Sequence, residues 1–265
     1  MRPALDEALR GVHFCVAKPG MAFEKSVTSN TLLNHQNQPT MKRTNFFLLI
    51  HQALRRLLFD TAQLLQQTDF SNEDAASAAL DAVRETILLF ETHAAHEDRH
   101  ILPAVADYEP SVADCFAREH AEDHRIGCEL LAAAEAVTAA DAAARAECCA
   151  ALQQAYRSFL AFNLQHMDKE ERILNDLLLR YYTVAQVMGI QFRIVQSTPP
   201  WIHDRIAHWM LLGNNEADTV QWLKTVAAGA PQLTYDSLLQ KAEALLPPAR
   251  WASLRRRLEN TPVFA

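Results

Sequence analysis

The sequence predicts an all-α protein: an up-down four-helix bundle followed by additional short C-terminal helices. Glycine occurs only six times in 265 residues, while alanine and leucine are abundant, and this composition favours helices over sheets. Apolar residues recur with the period of an α-helix over four long segments. Breaks rich in proline and glycine then divide the C-terminal part of the chain into shorter pieces. These three observations define the predicted architecture.

The chain is expected to have three parts. Residues 1–40 are polar and lack clear periodicity, which predicts a mobile N-terminal tail. Residues 41–188 are expected to form the bundle, and residues 189–265 a C-terminal helical extension. The breaks in this extension recur roughly every 15 residues, which predicts three or four short helices that pack on the bundle or against a second subunit.

The four bundle helices follow from their apolar patterns and from the residues that interrupt them. They are predicted over about residues 44–68, 73–102, 111–137, and from 141 to beyond 180. The second should end at Pro103, because proline disrupts a helix interior. The apolar residues expected to face the core are Phe47, Leu54, Leu58, Leu65, Leu80, Val83, Phe90, Ala113, Phe116, Leu131, Leu152, Phe159 and Leu177.

Histidines and glutamates interrupt the apolar faces of these helices at regular intervals. Six of them form three pairs whose members stand four positions apart, which places both side chains of a pair on one helix face. His51, His93 and Glu97, shifted by 73 positions, coincide with His124, His166 and Glu170, so one helical hairpin occurs twice and His120 is the additional member. The seven candidate metal ligands are His51, His93, Glu97, His120, His124, His166 and Glu170.

Buried imidazoles and carboxylates without partners are unfavourable, and two cations would neutralise such a cluster. The set contains no thiolate, and imidazole with carboxylate suits iron best, with manganese or zinc as weaker alternatives. Seven side chains are too many for one ion and too few to saturate two octahedral ions. The pattern therefore predicts two iron ions in an oxo- or hydroxo-bridged centre with one open position.

The order of these residues on four helices resembles the hemerythrin-like, or HHE cation-binding, domain of the bacterial type, over about residues 44–185. The resemblance implies that His120, His124 and His166 hold one iron and that His51 and His93 hold the other. Glu97 and Glu170 would bridge the two ions, and the open position would lie beside His51 and His93.

The resemblance also implies a small ligand, O₂, NO or peroxide, at that open position. Phe47, Leu54, Phe90 and Phe159 are placed to form an apolar shell around it.

Other candidate ligands are less favoured. His96 and His100 lie about 300° and 340° round the helix from His93, and the match to the second hairpin favours His93 with Glu97. We interpret His203 and His208 as surface or packing residues.

The cysteine pair Cys148–Cys149 and the run Arg255–Arg257 are also assigned no role at the site. The second is most simply a solvated helix face.

Composition narrows the function classes. A formal net charge of −7 argues against nucleic acid or an anionic membrane as the main partner. The five cysteines are an odd number without paired spacing, which favours free thiols in the cytoplasm.

No acid/base pair beyond the ligands supports a peroxidase. A binding or sensing protein is favoured over an enzyme for this reason. Two alternatives stay open. One is repair of iron–sulfur clusters under oxidative or nitrosative stress, although repair proteins of this kind carry an N-terminal cysteine pair and residues 1–40 hold only Cys15. The other is a regulatory module whose C-terminal helices bind a protein partner or a second copy of the chain.

Overall fold

Four long helical segments and five short helices make up the computed structural model, which describes residues 44–260. The predicted N-terminal tail, with Cys15, and residues 261–265 lie outside the described residues. Every regular element within 44–260 is helical, so the predicted all-α class is confirmed.

The first hairpin of the bundle joins two long segments. Its first helix is α1, Leu48–Gln67. Its second segment is continuous but changes geometry along its length: α2, Glu73–His96, passes into a π-turn, Glu97–Ile101, and then into α3, Leu102–Ala106. The side chain of Asn72 accepts a hydrogen bond from the Ala75 backbone amide and begins α2.

The prediction that the second segment ends at Pro103 is wrong. The Leu102 amide bonds to the Glu97 carbonyl, five residues back, in the wider π geometry. Pro103 therefore falls in the first turn of α3, where a proline is tolerated because its missing N–H is not needed.

The second hairpin repeats this arrangement. Its first helix is α4, Pro110–Ala139, and its second segment consists of α5, Arg145–Lys169, a second π-turn, Glu170–Leu174, and α6, Asn175–Tyr181. Each π-turn begins at one of the two candidate bridging glutamates.

The buried face of α4 differs from the predicted one at two places. Its buried residues alternate strictly three and four positions apart, the spacing of helices that pack at a shallow angle. Leu130 is consequently fully buried, whereas the predicted Leu131 is only partly buried. The same alternation places Asp123 inward instead of His124.

The C-terminal extension contains five short helices, where three or four were predicted. They are α7, Val184–Ser197; α8, Pro200–Gly213; α9, Glu216–Gly229; α10, Gln232–Leu245; and α11, Pro248–Asn260. The predicted breaks coincide with the gaps between them. The expected boundary at 188/189 lies inside α7, which begins at a capping box formed by Thr183 and Gln186.

The extension packs on the bundle through α7 and α8. Val187 and Ile190 of α7 join a core cluster with Phe47, Ile101 and Leu178.

Helix α8 crosses α1 so closely that a Cβ added at Gly213 would lie 2.5 Å from the Gln52 carbonyl oxygen. Helices α8–α11 also share a core of their own that includes Leu211, Leu223 and Leu254. Among the described helices, none is both long enough and apolar enough to cross a lipid bilayer.

Candidate metal centre

Six of the seven predicted ligands meet in the interior of the bundle. They form two groups of potential ligand atoms, each within 4.8 Å, and the groups share Glu97 and Glu170. The first group adds His51 and His93, and the second adds His120 and His166.

The first group joins α1, α2 and both π-turns. Nε2 of His51 lies 3.1 Å from Nε2 of His93 and 3.3 Å from Oε2 of Glu170. Nε2 of His93 lies 3.3 Å from Oε1 of Glu97. The Phe47 ring packs against His51 with centroids 5.4 Å apart, so an apolar side chain borders this group.

The second group joins α4, α5 and the same two π-turns. Nε2 of His120 lies 3.3 Å from Oε2 of Glu97 and 3.5 Å from Oε1 of Glu170. Nε2 of His166 lies 2.8 Å from Oε1 of Glu170. Each glutamate thus has oxygens near histidines of both hairpins, as a carboxylate that bridges two ions must.

The seventh predicted ligand, His124, lies outside this cluster. Its side chain is 45% exposed and its Nδ1 bonds to Glu91. The interval of four from His120 is compatible with a shared face, but the alternation of buried positions on α4 turns Asp123 inward instead. The expectation that His124 joins His120 and His166 on one iron does not match this geometry. Without His124 each group contains two histidines, so the number of ligands no longer places the open position beside His51 and His93.

Two carboxylates that sequence reasoning missed hold the ligand histidines in place. Nδ1 of His120 donates to Oδ1 of Asp98 at 2.6 Å, and Nδ1 of His51 donates to Oε1 of Glu171 at 3.0 Å. Arg55 lies 2.7 Å from the same Glu171 oxygen. Each carboxylate directly follows one of the two shared glutamates, and the two stand 73 positions apart, so the repeat itself was the signal for them.

A third carboxylate holds His166 but has no counterpart at His93. Nδ1 of His166 donates to Glu119 at 2.9 Å, and Lys169 bonds to the other oxygen of that carboxylate at 2.8 Å. Glu119 precedes His120, whereas Ile50 precedes His51. Among the described residues, no carboxylate bonds to Nδ1 of His93. Carboxylates of this kind fix the histidine tautomer so that Nε2 presents its lone pair inward.

Burial and neighbouring charges shift the pKa values of the clustered groups in different directions. Burial, followed by the charge of Glu170, raises the pKa of Glu97 to about 8. Histidines hold the pKa of Glu170 well below its usual range despite burial. Burial alone would lower the pKa of His51, but Glu170 and Glu171 raise it to about 9. Burial and the neighbouring His51 hold the pKa of His93 well below its usual value.

The inward atoms of this cluster fit a metal better than they fit one another. Within the part of the chain that the structure describes, both carboxylate oxygens of Glu97 and of Glu170 and Nε2 of His120 and His166 are buried without a well-formed hydrogen bond. Orphaned acceptors of this kind are costly in a protein interior. Imidazole nitrogens and carboxylate oxygens are suitable ligands for iron.

The competing histidines lie away from the cluster. Nε2 of His96 is 3.1 Å from the Thr198 hydroxyl, and Nε2 of His100 is 3.2 Å from the Ser197 hydroxyl. His203 bonds to the Val195 carbonyl at the α7–α8 junction.

The described cysteines belong to neither group of ligand atoms. Those at 115, 128, 148 and 149 are free thiols, so no disulfide joins any of the described residues.

A helical bundle with two carboxylates shared between two histidine pairs defines a class of metal-binding protein. The model of the Hemerythrin HHE cation binding domain matches residues 43–178, and the chain belongs to this family. The resemblance noted in the sequence is thereby confirmed, and with it a metal-binding domain of a kind that typically binds iron. No curated protein and no solved structure matches the chain.

Proposed function

We propose that this protein binds two iron ions and uses them to bind or sense a small oxidant such as O₂, NO or peroxide. The observation that carries the proposal is the pair of ligand groups that share Glu97 and Glu170. His51 and His93 would hold one ion, and His120 and His166 the other. The six side chains would hold the ions without filling every position on them, and iron would supply a site for a small ligand.

The surroundings of the two groups favour the ion beside His51 and His93 as the place where the small ligand binds. Leu54 lies three residues after His51 and Phe90 lies three residues before His93, and both are buried. The corresponding residues beside the other group are Asp123 and Asn163, joined by a buried hydrogen bond of 2.7 Å. O₂ and NO carry no charge, so an apolar surface is the better environment for them.

The chain's own contribution is to hold ligand atoms and exclude water. Carboxylates at Nδ1 keep three histidines in one tautomer. Phe90 and Phe159 pack edge to face at 5.4 Å and close the interior beside the site.

The test is metal analysis and optical spectroscopy of the full chain. We expect two irons per chain and a near-ultraviolet band of the ferric pair that shifts with azide. The reduced protein should change its spectrum with O₂ or NO. The proposal would be contradicted if the protein binds only zinc, or if the spectrum of the iron-loaded protein changes with neither O₂ nor NO.

Two further measurements refine it. His93→Ala should remove the paired-iron spectrum, while His100→Ala, on the same helical segment, should keep it. Restoration of a damaged iron–sulfur enzyme without gas binding would favour the repair function instead.

A further inference from the structure

His124, which belongs to neither group of ligand atoms, takes part in a second arrangement on the bundle surface. Nε2 of His124 lies 3.6 Å from Sγ of Cys128, one helical turn further along α4. Its other ring nitrogen, Nδ1, lies 2.6 Å from Oε1 of Glu91 on α2. Three side chains from two helices thus form a line from a carboxylate through an imidazole to a thiol.

The order of the three groups determines their roles. A carboxylate can only accept, so Nδ1 of His124 carries the proton and donates it to Glu91. Nε2 then presents its lone pair to the thiol of Cys128. A nucleophile next to a base that a third group orients is the general arrangement of an activated nucleophile.

Helix geometry alone explains only part of this arrangement. Residues four apart on a helix are neighbours in any case, so the contact between His124 and Cys128 needs no function. The Glu91 carboxylate, however, comes from another helix and fixes the ring with its basic nitrogen toward sulfur. Its side chain is mostly buried, while those of His124 and Cys128 are exposed.

We propose that Cys128, His124 and Glu91 form a nucleophilic thiol site that reacts with small hydroperoxides, separate from the metal centre. As sulfur attacks the peroxide, the S–O bond forms and the O–O bond breaks. The thiol is oxidised to a sulfenic acid and the peroxide is reduced to an alcohol or water. The thiol proton passes to Nε2 of His124 and from there to the leaving oxygen, so protons and electrons balance.

The need for a base follows from the surroundings of the sulfur. Burial and the charge of Glu91 raise the pKa of the Cys128 thiol, so the thiol form predominates at neutral pH. Since the thiolate is the nucleophile, a neighbouring group must accept the proton during attack. An exposed position suits a small reagent because hydroperoxide needs no binding pocket to reach it.

The chain supplies its own control in Cys115, an exposed free thiol on the same helix. The full-length protein is treated with hydrogen peroxide, trapped with dimedone, and analysed by peptide mass spectrometry. General-base assistance should make Cys128 label roughly tenfold or more faster than Cys115. Equal rates for the two cysteines would overturn the proposal.

Variants separate the roles. His124→Ala should reduce Cys128 labelling to the Cys115 rate, and added imidazole should restore it, which a merely structural role would not produce. Glu91→Gln should give a smaller loss. If His124→Ala keeps the fast labelling, or loses iron, the assignment of His124 as the base is wrong.

A second probe excludes oxidation by the iron. Iodoacetamide alkylates thiols without involving iron, and it should rank Cys128 above Cys115 in the same way. If Cys128 reacts faster than Cys115 with peroxide but not with iodoacetamide, the oxidation comes from the metal centre and the proposal is overturned. Failure of iron binding would leave the iodoacetamide result unchanged, so the two functions fail separately.

Discussion

The two hairpins of the bundle carry the same motif in different surroundings. In both, a glutamate shared by the two groups of ligand atoms begins a π-turn, and the next residue, Asp98 or Glu171, holds a histidine of the opposite hairpin. The hairpins therefore support each other's ligands reciprocally. Neither hairpin supplies a whole group of ligand atoms alone, because both groups contain Glu97 and Glu170.

The differences between the hairpins lie outside the ligand atoms. The second hairpin holds His166 through Glu119 and Lys169 and has the buried polar pair Asp123–Asn163 beside its histidines. At the positions equivalent to Asp123 and Asn163, the first hairpin has the apolar residues Leu54 and Phe90. The two groups of ligand atoms therefore differ in surroundings and not in the number of their side chains.

The C-terminal extension also distinguishes the hairpins, because its helix α8 packs on the first. Trp209 donates to Glu85 of α2 at 3.1 Å, Asn214 donates to the Leu49 carbonyl at 3.0 Å, and α8 lies on α1 at Gly213. Helix α1 carries His51, so α8 packs on a helix that contributes to the first group of ligand atoms.

The largest expected effect comes from breaking what the two hairpins share. Glu170→Ala removes oxygens that face His51, His120 and His166 and should reduce bound iron from about two ions per chain to nearly none, since metal binding depends on the complete ligand set. Elemental analysis of the purified protein measures this. His100→Ala is the matched control and should bind as much iron as the unchanged chain. Two irons in Glu170→Ala would show that the carboxylate does not bridge.

A pair of histidines on α4 tests which of them belongs to the second ion. His120→Ala should lose the ion of the second group and the paired-iron spectrum, because its Nε2 faces both glutamates. His124→Ala should keep full iron content, because its ring points to the surface. Iron content and the optical spectrum of the two variants decide between them. The opposite result would restore the seven-ligand interpretation.

The carboxylates of Asp98 and Glu171, here called the outer carboxylates, test whether each hairpin orients a histidine of the other. Asp98→Asn and Glu171→Gln should each weaken iron affinity by about 10–100-fold, the usual effect of losing a carboxylate that orients a ligand histidine. Competition with a chelator of known affinity measures the change. Asp168→Asn, an exposed position on α5, should leave the affinity unchanged. Unaltered affinity in both outer variants would mean that packing alone orients the histidines.

The packing of α8 on α1 is tested at two glycines. Gly213→Ala places a Cβ against the α1 backbone and should destabilise the fold by about 1–3 kcal/mol, as overpacking does. Gly229→Ala is the control, because nothing lies within 4 Å of its added Cβ, and it should be neutral or stabilise by up to about 1 kcal/mol. Urea unfolding measures both. Equal stabilities would show that the two helices can separate without loss.

The last expected effect, limited to a window of pH, comes from the polar pair of the second hairpin. Burial raises the pKa of Asp123 to about 6 from 3.8, so the folded chain binds this proton more tightly than the unfolded chain. Stability should therefore fall as pH rises from about 4 to about 6 and stay lower above that range. Asp123→Asn should relieve this by up to about 3 kcal/mol at pH 7 in iron-free protein and by nothing below about pH 4.

Urea unfolding across this pH range measures the difference. Asp114→Asn, exposed on the same helix, should change stability by less than about 0.5 kcal/mol at every pH. A constant difference for Asp123→Asn across the range would contradict the assigned titration.

Much of the fold and of the candidate site could be predicted from local intervals. Apolar periodicity predicts the four long segments and most of their buried residues, and the repeat of 73 positions predicts that His93, Glu97, His166 and Glu170 play matching roles. The choice of His93 over His100 also follows from this repeat. Glu97 and Glu170 are buried as expected. These properties depend on side-chain direction within one helix, which the sequence interval determines directly.

Only the tertiary structure determined which of two neighbouring side chains faces inward and which residues far apart in the chain bond to each other. Positions three and four residues beyond His120 both lie near its face of α4, and the packing of α4 against the bundle turns Asp123 inward and leaves His124 to Glu91 and Cys128. The pairing of Asp98 with His120, and of Glu171 with His51, joins residues far apart in the chain. No helical interval encodes such contacts, because they depend on how whole helices are placed against one another.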